Sequence, residues 1–95
     1  MGRLQEKFGQ VIRHRRNEAG IGQEALADKA GLHRTHVSLL ERGKRNPTLE
    51  VIKKLADALD TTMASLMEEL EAEADDEEAG PDEADEKPPE PKRRR

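Results

Sequence analysis

The 95-residue chain has no cysteine, tryptophan or tyrosine, and it has one phenylalanine, Phe8. Without cysteine it can form neither disulfide bonds nor thiolate metal sites, and with a single aromatic residue any core must be aliphatic and small. No apolar run approaches the roughly 20 residues that cross a bilayer, and the N-terminus lacks the apolar segment of a signal peptide. These features predict a soluble, cytoplasmic protein with one small domain.

Charge is abundant but unevenly distributed along the chain. Residues 1–67 contain 12 Lys or Arg and 8 Asp or Glu, a balance of +4, whereas residues 68–95 contain 5 and 13, a balance of −8. A mildly basic part with an acidic tail fits a nucleic-acid binder better than the formal net charge of −4 indicates. Charge by itself does not establish that function.

Two short helical patterns meet at Gly31. The segment QEALADKA places a small apolar stripe on one helical face, and Gly31 can adopt the left-handed conformation that ends a helix. Beyond the glycine, Leu32 and Val37 have the spacing of a hydrophobic staple if His33 is the N-cap. A second helix is therefore predicted to begin near Arg34.

The second helix has two faces of different chemistry. A step of about 100° per residue places Val37, Leu40 and Glu41 on an inward arc, with His36 at its margin. The opposite arc combines a guanidinium, two hydroxyls and a leucine, which are groups that can contact base-pair edges in a major groove. The predicted base-reading residues are Arg34, Thr35, Ser38 and Leu39.

Residues 23–43 and the segment KRNPTLEVIKKLADALD that follows Gly43 together resemble the lambda-repressor-like, or Xre-type, helix-turn-helix family. The string HRTHVSLLERGKRN is similar to the controller proteins of restriction-modification systems. The resemblance implies a compact all-α fold of five helices, with the helix-turn-helix at helices 2 and 3, that binds DNA without a cofactor. We expect this domain at residues 1–71 and an acidic tail at residues 72–95. Because the tail has no large apolar residue, it is expected to be disordered except where helix 5 continues into it.

The resemblance also implies contacts outside the reading helix. It implies that Arg16 pairs with Glu41 and fixes the angle between helices 1 and 3. It implies that Gln23 anchors a DNA phosphate at the start of helix 2, although a solvated first-turn residue is the alternative. The loop RGKRN is either a soluble turn or a row of phosphate contacts, and Arg45 is its first candidate. The predicted phosphate or flanking contacts are Gln23, His33, His36, Arg42, Lys44, Arg45 and Asn46.

Three residues depart from what the predicted helices prefer. Gly9 lies inside helix 1 and costs up to about 1 kcal/mol relative to alanine. His33 is a poor N-cap, so the cap is weak or comes from Thr35. Asp60 stands where the family often has glycine, so the left-handed turn there is strained.

His33 and His36 have a spacing that can hold a metal, but no metal site is predicted because a third ligand is missing.

Helices 4 and 5 supply scaffold and a contact between copies. The predicted buried stripe of helix 4 is Leu49, Ile52, Leu55, Ala56 and Leu59. Thr62 is expected to cap helix 5, which has more apolar residues than so small a core can cover. This surplus, together with the resemblance, predicts a homodimer through Val51, Met67 and Leu70. The alternative is that Met63 and Leu66 complete the core of a monomer and the other apolar residues are exposed.

These features predict a sequence-specific regulator of transcription that binds double-stranded operator DNA as a homodimer, with half-sites about 34 Å apart. The alternative is an antitoxin of the same family that binds a toxin and represses its own operon, for which the acidic tail is the spare segment. An enzyme is not expected, because there is no cysteine, tyrosine or glycine-rich phosphate loop and the histidines lack a triad arrangement. Neither membrane binding nor a small-molecule substrate is expected.

Overall fold

The computed structural model describes residues 3–77, and for residues 73–77 it describes the backbone alone. This part of the chain forms five α-helices and no strand, which confirms the all-α fold. The helices are α1 (Arg3–Glu18), α2 (Gln23–Ala30), α3 (Arg34–Glu41), α4 (Leu49–Ala58) and α5 (Met63–Glu77). Helix α5 thus continues past residue 72, where the acidic tail was expected to begin, and residues 78–95 of that tail lie outside the described residues.

The bend between α2 and α3 lies at Gly31, as the sequence predicted. Gly31 has φ 71°, and the amide of Leu32 donates to the carbonyl oxygen of Ala27 at 2.8 Å. A similar bend follows α4, where the left-handed residue is Asp60 with φ 58° and the amide of Thr61 donates to Ala56 O at 2.9 Å. Because Asp60 carries a Cβ atom, this turn is less favourable than the glycine turn.

The core lies where the five helices meet. Helix α1 packs against α3 and α5, α2 packs against α3 and α4, and α4 also contacts α5. One aromatic residue is present in this core, and the rest is aliphatic. The buried apolar residues are Phe8, Val11, Ile12, Leu26, Ala27, Ala30, Val37, Leu40, Val51, Ile52, Leu55, Ala56 and Leu66. None of the helices in residues 3–77 combines the length and the apolarity that crossing a membrane requires.

Helix α4 buries Ile52, Leu55 and Ala56 of its predicted stripe, but it does not bury Leu49. Leu49 was expected in the buried stripe, but it is 75% exposed, so that prediction is wrong. Val51 was expected at a contact between copies, but in the structure it belongs to the core of one chain. The buried positions form one arc that includes Val51, Ile52 and Leu55, and Leu49 lies about 200° around the helix from Val51. Leu59, the last member of the predicted stripe, is partly buried.

Threonine side chains cap both α4 and α5. The Thr48 hydroxyl accepts from the amide of Val51 at 3.1 Å, and the Thr62 hydroxyl accepts from the amide of Ser65 at 3.0 Å. Thr62 is therefore the N-cap of α5 that the sequence predicted. Arg15 of α1 links α1 to α5. Its Nε donates to Glu69 Oε2 at 2.7 Å, and its Nη2 donates to Ser65 Oγ at 2.9 Å.

Gly9 is the point at which α1 crosses the end of α3. A Cβ atom at Gly9 would lie 2.4 Å from the carbonyl oxygen of Leu40 and 2.5 Å from that of Glu41. The two backbones therefore touch, and only glycine permits this approach. The glycine that looked unfavourable in the sequence thus sets how closely α3 is held to the scaffold.

Candidate nucleic-acid interface

Helix α3 buries one face and exposes the other. Val37, Leu40 and Glu41 are buried, as the helical periodicity predicted. Arg34 and Thr35 are exposed, and Ser38 and Leu39 are partly buried on the same side. The side chains predicted to read bases therefore lie together on an accessible strip of α3.

The start of α3 has no side-chain cap. His33 is the N-cap residue, with φ −87° and ψ 148°, and neither its own side chain nor that of Thr35 accepts a hydrogen bond from the first turn. Burial, and then the nearby charges of Arg45, His33 and Lys54, lower the pKa of His36. One cation of the loop, Arg45, and one of α4, Lys54, thus lie near His36. Within residues 3–72, whose side chains the structure describes, no three His, Asp or Glu side chains are placed to hold a metal.

Glu41 and Arg16 form a bidentate ion pair between α3 and α1. Arg16 Nε lies 2.6 Å from Glu41 Oε2, and Arg16 Nη2 lies 3.0 Å from Glu41 Oε1. Arg16 Nη1 also donates to the carbonyl oxygen of Ile21 at 3.0 Å, which fixes the guanidinium against the α1–α2 loop. The pair therefore sets the position of α3 relative to both α1 and α2.

Two further donors converge on the same carboxylate. Gln23 Nε2 donates to Glu41 Oε1 at 3.0 Å, and Arg13 Nε lies 3.5 Å from that oxygen. The sequence predicted Gln23 as a phosphate contact, with a solvated first-turn residue as the alternative, and it gave no role to Arg13. The available signal was spacing, because Arg13 precedes Arg16 by one helical turn and shares its face.

Burial and hydrogen bonding act in opposite directions on Glu41. Its side chain has no exposed surface, and this burial raises the pKa of the carboxyl group. Hydrogen bonds from Arg16 and Gln23, the charge of Arg16 and the contact with Arg13 outweigh burial, so the pKa of Glu41 lies below its ordinary value. The hydrogen bond between Arg16 and Glu41 also raises the pKa of Arg16. Both groups are therefore charged in neutral solution.

The loop after α3 presents cations next to the reading helix. The side chains of Arg42, Lys44, Arg45 and Asn46 are all exposed. The amide of Lys44 donates to Leu39 O at 2.9 Å, and a Cβ atom at Gly43 would lie 2.6 Å from Glu6 Cγ. The base of the loop is therefore held against α1 while its cationic side chains are in solvent.

An apolar groove of 560 Å³ runs between α1, α4, α5 and the loop after α3. Met67 and Leu70, both predicted at the contact between copies, line it and are partly buried. Val51 is not among its lining residues. Among residues 3–72, the lining consists of Leu4, Gln5, Phe8, Asn46, Pro47, Ile52, Met67 and Leu70.

Known proteins resemble this chain over the region that contains these features. A helix-turn-helix family model matches residues 12–66. The control protein C.SmaI of Serratia marcescens is 39% identical over 64 residues, which are 67% of this chain and 76% of that protein. The crystal structure of the restriction-modification controller protein C.AhdI from Aeromonas hydrophila has 48% identity and a TM-score of 0.63, covering 64% of this chain and 92% of that one.

A solved complex is also similar to this chain. The restriction-modification controller protein C.Esp1396I, as a tetramer in complex with its natural 35 base-pair operator, has 34% identity and a TM-score of 0.72. The match covers 77% of this chain and 96% of that chain. The similarity thus extends over nearly the whole of a protein that was solved on operator DNA.

Proposed function

Because this chain belongs to the lambda-repressor-like helix-turn-helix family, we propose that it is a transcriptional regulator that binds double-stranded operator DNA sequence-specifically. The observation that supports this most strongly is the accessible strip Arg34, Thr35, Ser38 and Leu39 on α3, whose inner face is anchored by the Arg16–Glu41 pair. We propose that the protein is located in the cytoplasm, where it binds the DNA.

Control of a restriction-modification system is the specific role that the comparisons support. C.SmaI, C.AhdI and C.Esp1396I all bear the name of control or controller proteins. None of these three is named as an antitoxin, and no feature of residues 3–77 favours binding of a toxin. We therefore retain one proposed function.

In the proposed complex, α3 enters the major groove. The Arg34 guanidinium is suited to bidentate pairing with guanine, and Thr35 or Leu39 can contact a thymine methyl group. The Ser38 hydroxyl can donate a hydrogen bond to, or accept one from, the edge of an A·T or a G·C base pair. These side chains are proposed to supply sequence discrimination.

The DNA backbone is proposed to lie along the cationic residues that flank α3. Arg45 and Lys44 are the first candidates in the exposed loop, and Gln23 is the candidate at the start of α2. Such contacts set the register and orientation of the protein without reading sequence. The full proposed set is Gln23, His33, His36, Arg42, Lys44, Arg45 and Asn46.

A second copy of the chain is proposed to cover the apolar groove. Met67 and Leu70 line that groove and are only partly buried in one chain, so pairing removes their remaining apolar surface from water. Val51, which belongs to the core, is proposed to support this surface from beneath. A two-fold pair would place two α3 helices on half-sites about 34 Å apart.

Selection of bound sequences from a random duplex library tests the proposed function. We expect enrichment of one sequence with two-fold symmetry, because two copies of the same strip contact the DNA. Recovery of the input distribution without enrichment would contradict sequence-specific binding. The central spacing of the enriched sequence then measures the separation of the two α3 helices.

A further inference from the structure

Two guanidinium groups share the carboxylate of Glu41, but they are held very differently. Arg16 contacts it at 2.6 Å with a side chain that is 13% exposed, whereas Arg13 lies at 3.5 Å with a side chain that is 53% exposed. A separation of 3.5 Å is at the outer limit of hydrogen bonding. Arg16 therefore completes the buried ion pair, and Arg13 is only loosely attached to it.

The cluster consequently has an excess of positive charge. One carboxylate faces two guanidinium groups, and within residues 3–72 Arg13 contacts no carboxylate other than Glu41. Since the Arg16 pair already neutralises Glu41, the charge of Arg13 is available to an anion from solution. The Arg13 side chain, with its two terminal nitrogens, is more exposed than that of Arg16.

Arg13 lies beside Gln23, because both contact Glu41. Arg13 Nε and Gln23 Nε2 both lie within 3.5 Å of the same Glu41 oxygen, so the two side chains are neighbours. Only the amide N–H of Gln23 can donate to a carboxylate, so this contact also fixes the orientation of the amide. Glu41 thus holds one exposed cation and one oriented amide side by side at the start of α2.

We propose that Arg13 is a further phosphate-binding residue of the DNA interface, held beside Gln23 by the buried carboxylate of Glu41. It contacts the strand backbone at the α1–α2 side of α3, apart from the cations of the loop after α3. This inference rests on the proposed function, since its ligand is the phosphate of duplex DNA. Arg13 adds affinity for any sequence and does not read bases.

The test compares full-length variants in which one positive charge is removed. Arg13→Gln is the test, and Lys53→Gln is the matched control, because Lys53 is an exposed cation of α4 that pairs with Asp57 at 3.0 Å. Affinity for one random-sequence duplex is measured by fluorescence anisotropy over a series of KCl concentrations. Thermal unfolding of each variant is followed by circular dichroism.

We expect Arg13→Gln to weaken duplex binding by roughly 3- to 10-fold at low salt and to reduce the slope of log K against log salt by about 0.9. Arg13→Lys should restore the slope, because the phosphate contact needs charge and not the guanidinium Nε. Lys53→Gln should retain the wild-type slope. The melting temperature should change little for any of these variants.

A wild-type slope in Arg13→Gln would overturn the inference. A lower melting temperature with an unchanged slope would also overturn it, because Arg13 would then act on the fold alone. If the wild-type chain itself showed no salt-dependent binding to duplex DNA, the proposed function would fail as well. The wild-type and variant measurements therefore separate the two failures.

Discussion

At the scale of single residues, Glu41 connects the fold to the proposed interface. Its carboxylate is fully buried, yet it accepts hydrogen bonds from α1 and from the start of α2. Breaking a buried ion pair by removing one partner commonly costs about 3–5 kcal/mol, because the remaining charge is left without compensation. The residue that fixes the angle of α3 therefore also orients Gln23 and contacts Arg13.

The depressed pKa of Glu41 predicts how stability depends on pH. Its folded-state pKa lies below the unfolded value of about 4.3, so the stabilisation from ionised Glu41 is present above that pH and is lost as pH falls through the folded-state pKa. We expect the difference in melting temperature between the wild-type chain and Glu41→Gln to shrink between about pH 5 and pH 3. A difference that stays constant over this range would contradict the prediction.

At the scale of helices, close approach of backbones decides where α3 lies. The periodicity of the sequence predicted the bend at Gly31, the start of α3 near Arg34 and the Thr62 cap, because each depends on residues close together in the chain. It misjudged Leu49, because this residue fits the apolar pattern of α4 but lies outside the packed arc. It also read Gly9 as a defect, because contact with α3 is a long-range property that local helix propensity does not include.

Gly9→Ala tests this crossing. Alanine is favoured over glycine in helices by up to about 1 kcal/mol, but a Cβ atom here would meet backbone oxygen atoms of α3. We expect a net loss of about 1–3 kcal/mol in the free energy of unfolding, measured by chemical denaturation. Gly22→Ala is the control, because a Cβ atom there has no neighbour within 4 Å. If Gly9→Ala had an unfolding free energy equal to or above that of the wild-type chain, the close approach of α1 and α3 at Gly9 would be contradicted.

At the scale of the whole molecule, Asn46 is the one residue that the proposed DNA surface shares with the described lining of the apolar groove. The accessible face of α3 was predictable from the sequence, because it follows from the 3.6-residue repeat of one helix. Spacing in the sequence places Arg13 on the same face of α1 as Arg16, but its meeting with Gln23 and Glu41 was not predictable, because the three residues come from three helices. The groove was not predictable from the sequence either, since Phe8 and Leu70, which both line it, are far apart in the sequence.

Leu70→Asp tests the proposed pairing through the groove. A carboxylate at this position would place a charge in the apolar surface that two copies are proposed to cover, so its desolvation opposes association. We expect the dimer dissociation constant, measured by sedimentation equilibrium, to rise at least about 10-fold, which corresponds to 1.4 kcal/mol. Leu49→Asp is the matched control, because Leu49 is 75% exposed and does not line the groove. Equal association in Leu70→Asp and the wild-type chain would exclude this surface.

The most direct test of sequence reading by α3 is competition between the selected operator and a random duplex for the wild-type chain and for Arg34→Ala. If Arg34 pairs with a base, its removal should cost about 1–3 kcal/mol on the operator and abolish the preference at one base-pair position. Binding to random DNA should fall much less. Unchanged affinity for both duplexes in Arg34→Ala would show that this face of α3 does not read the DNA.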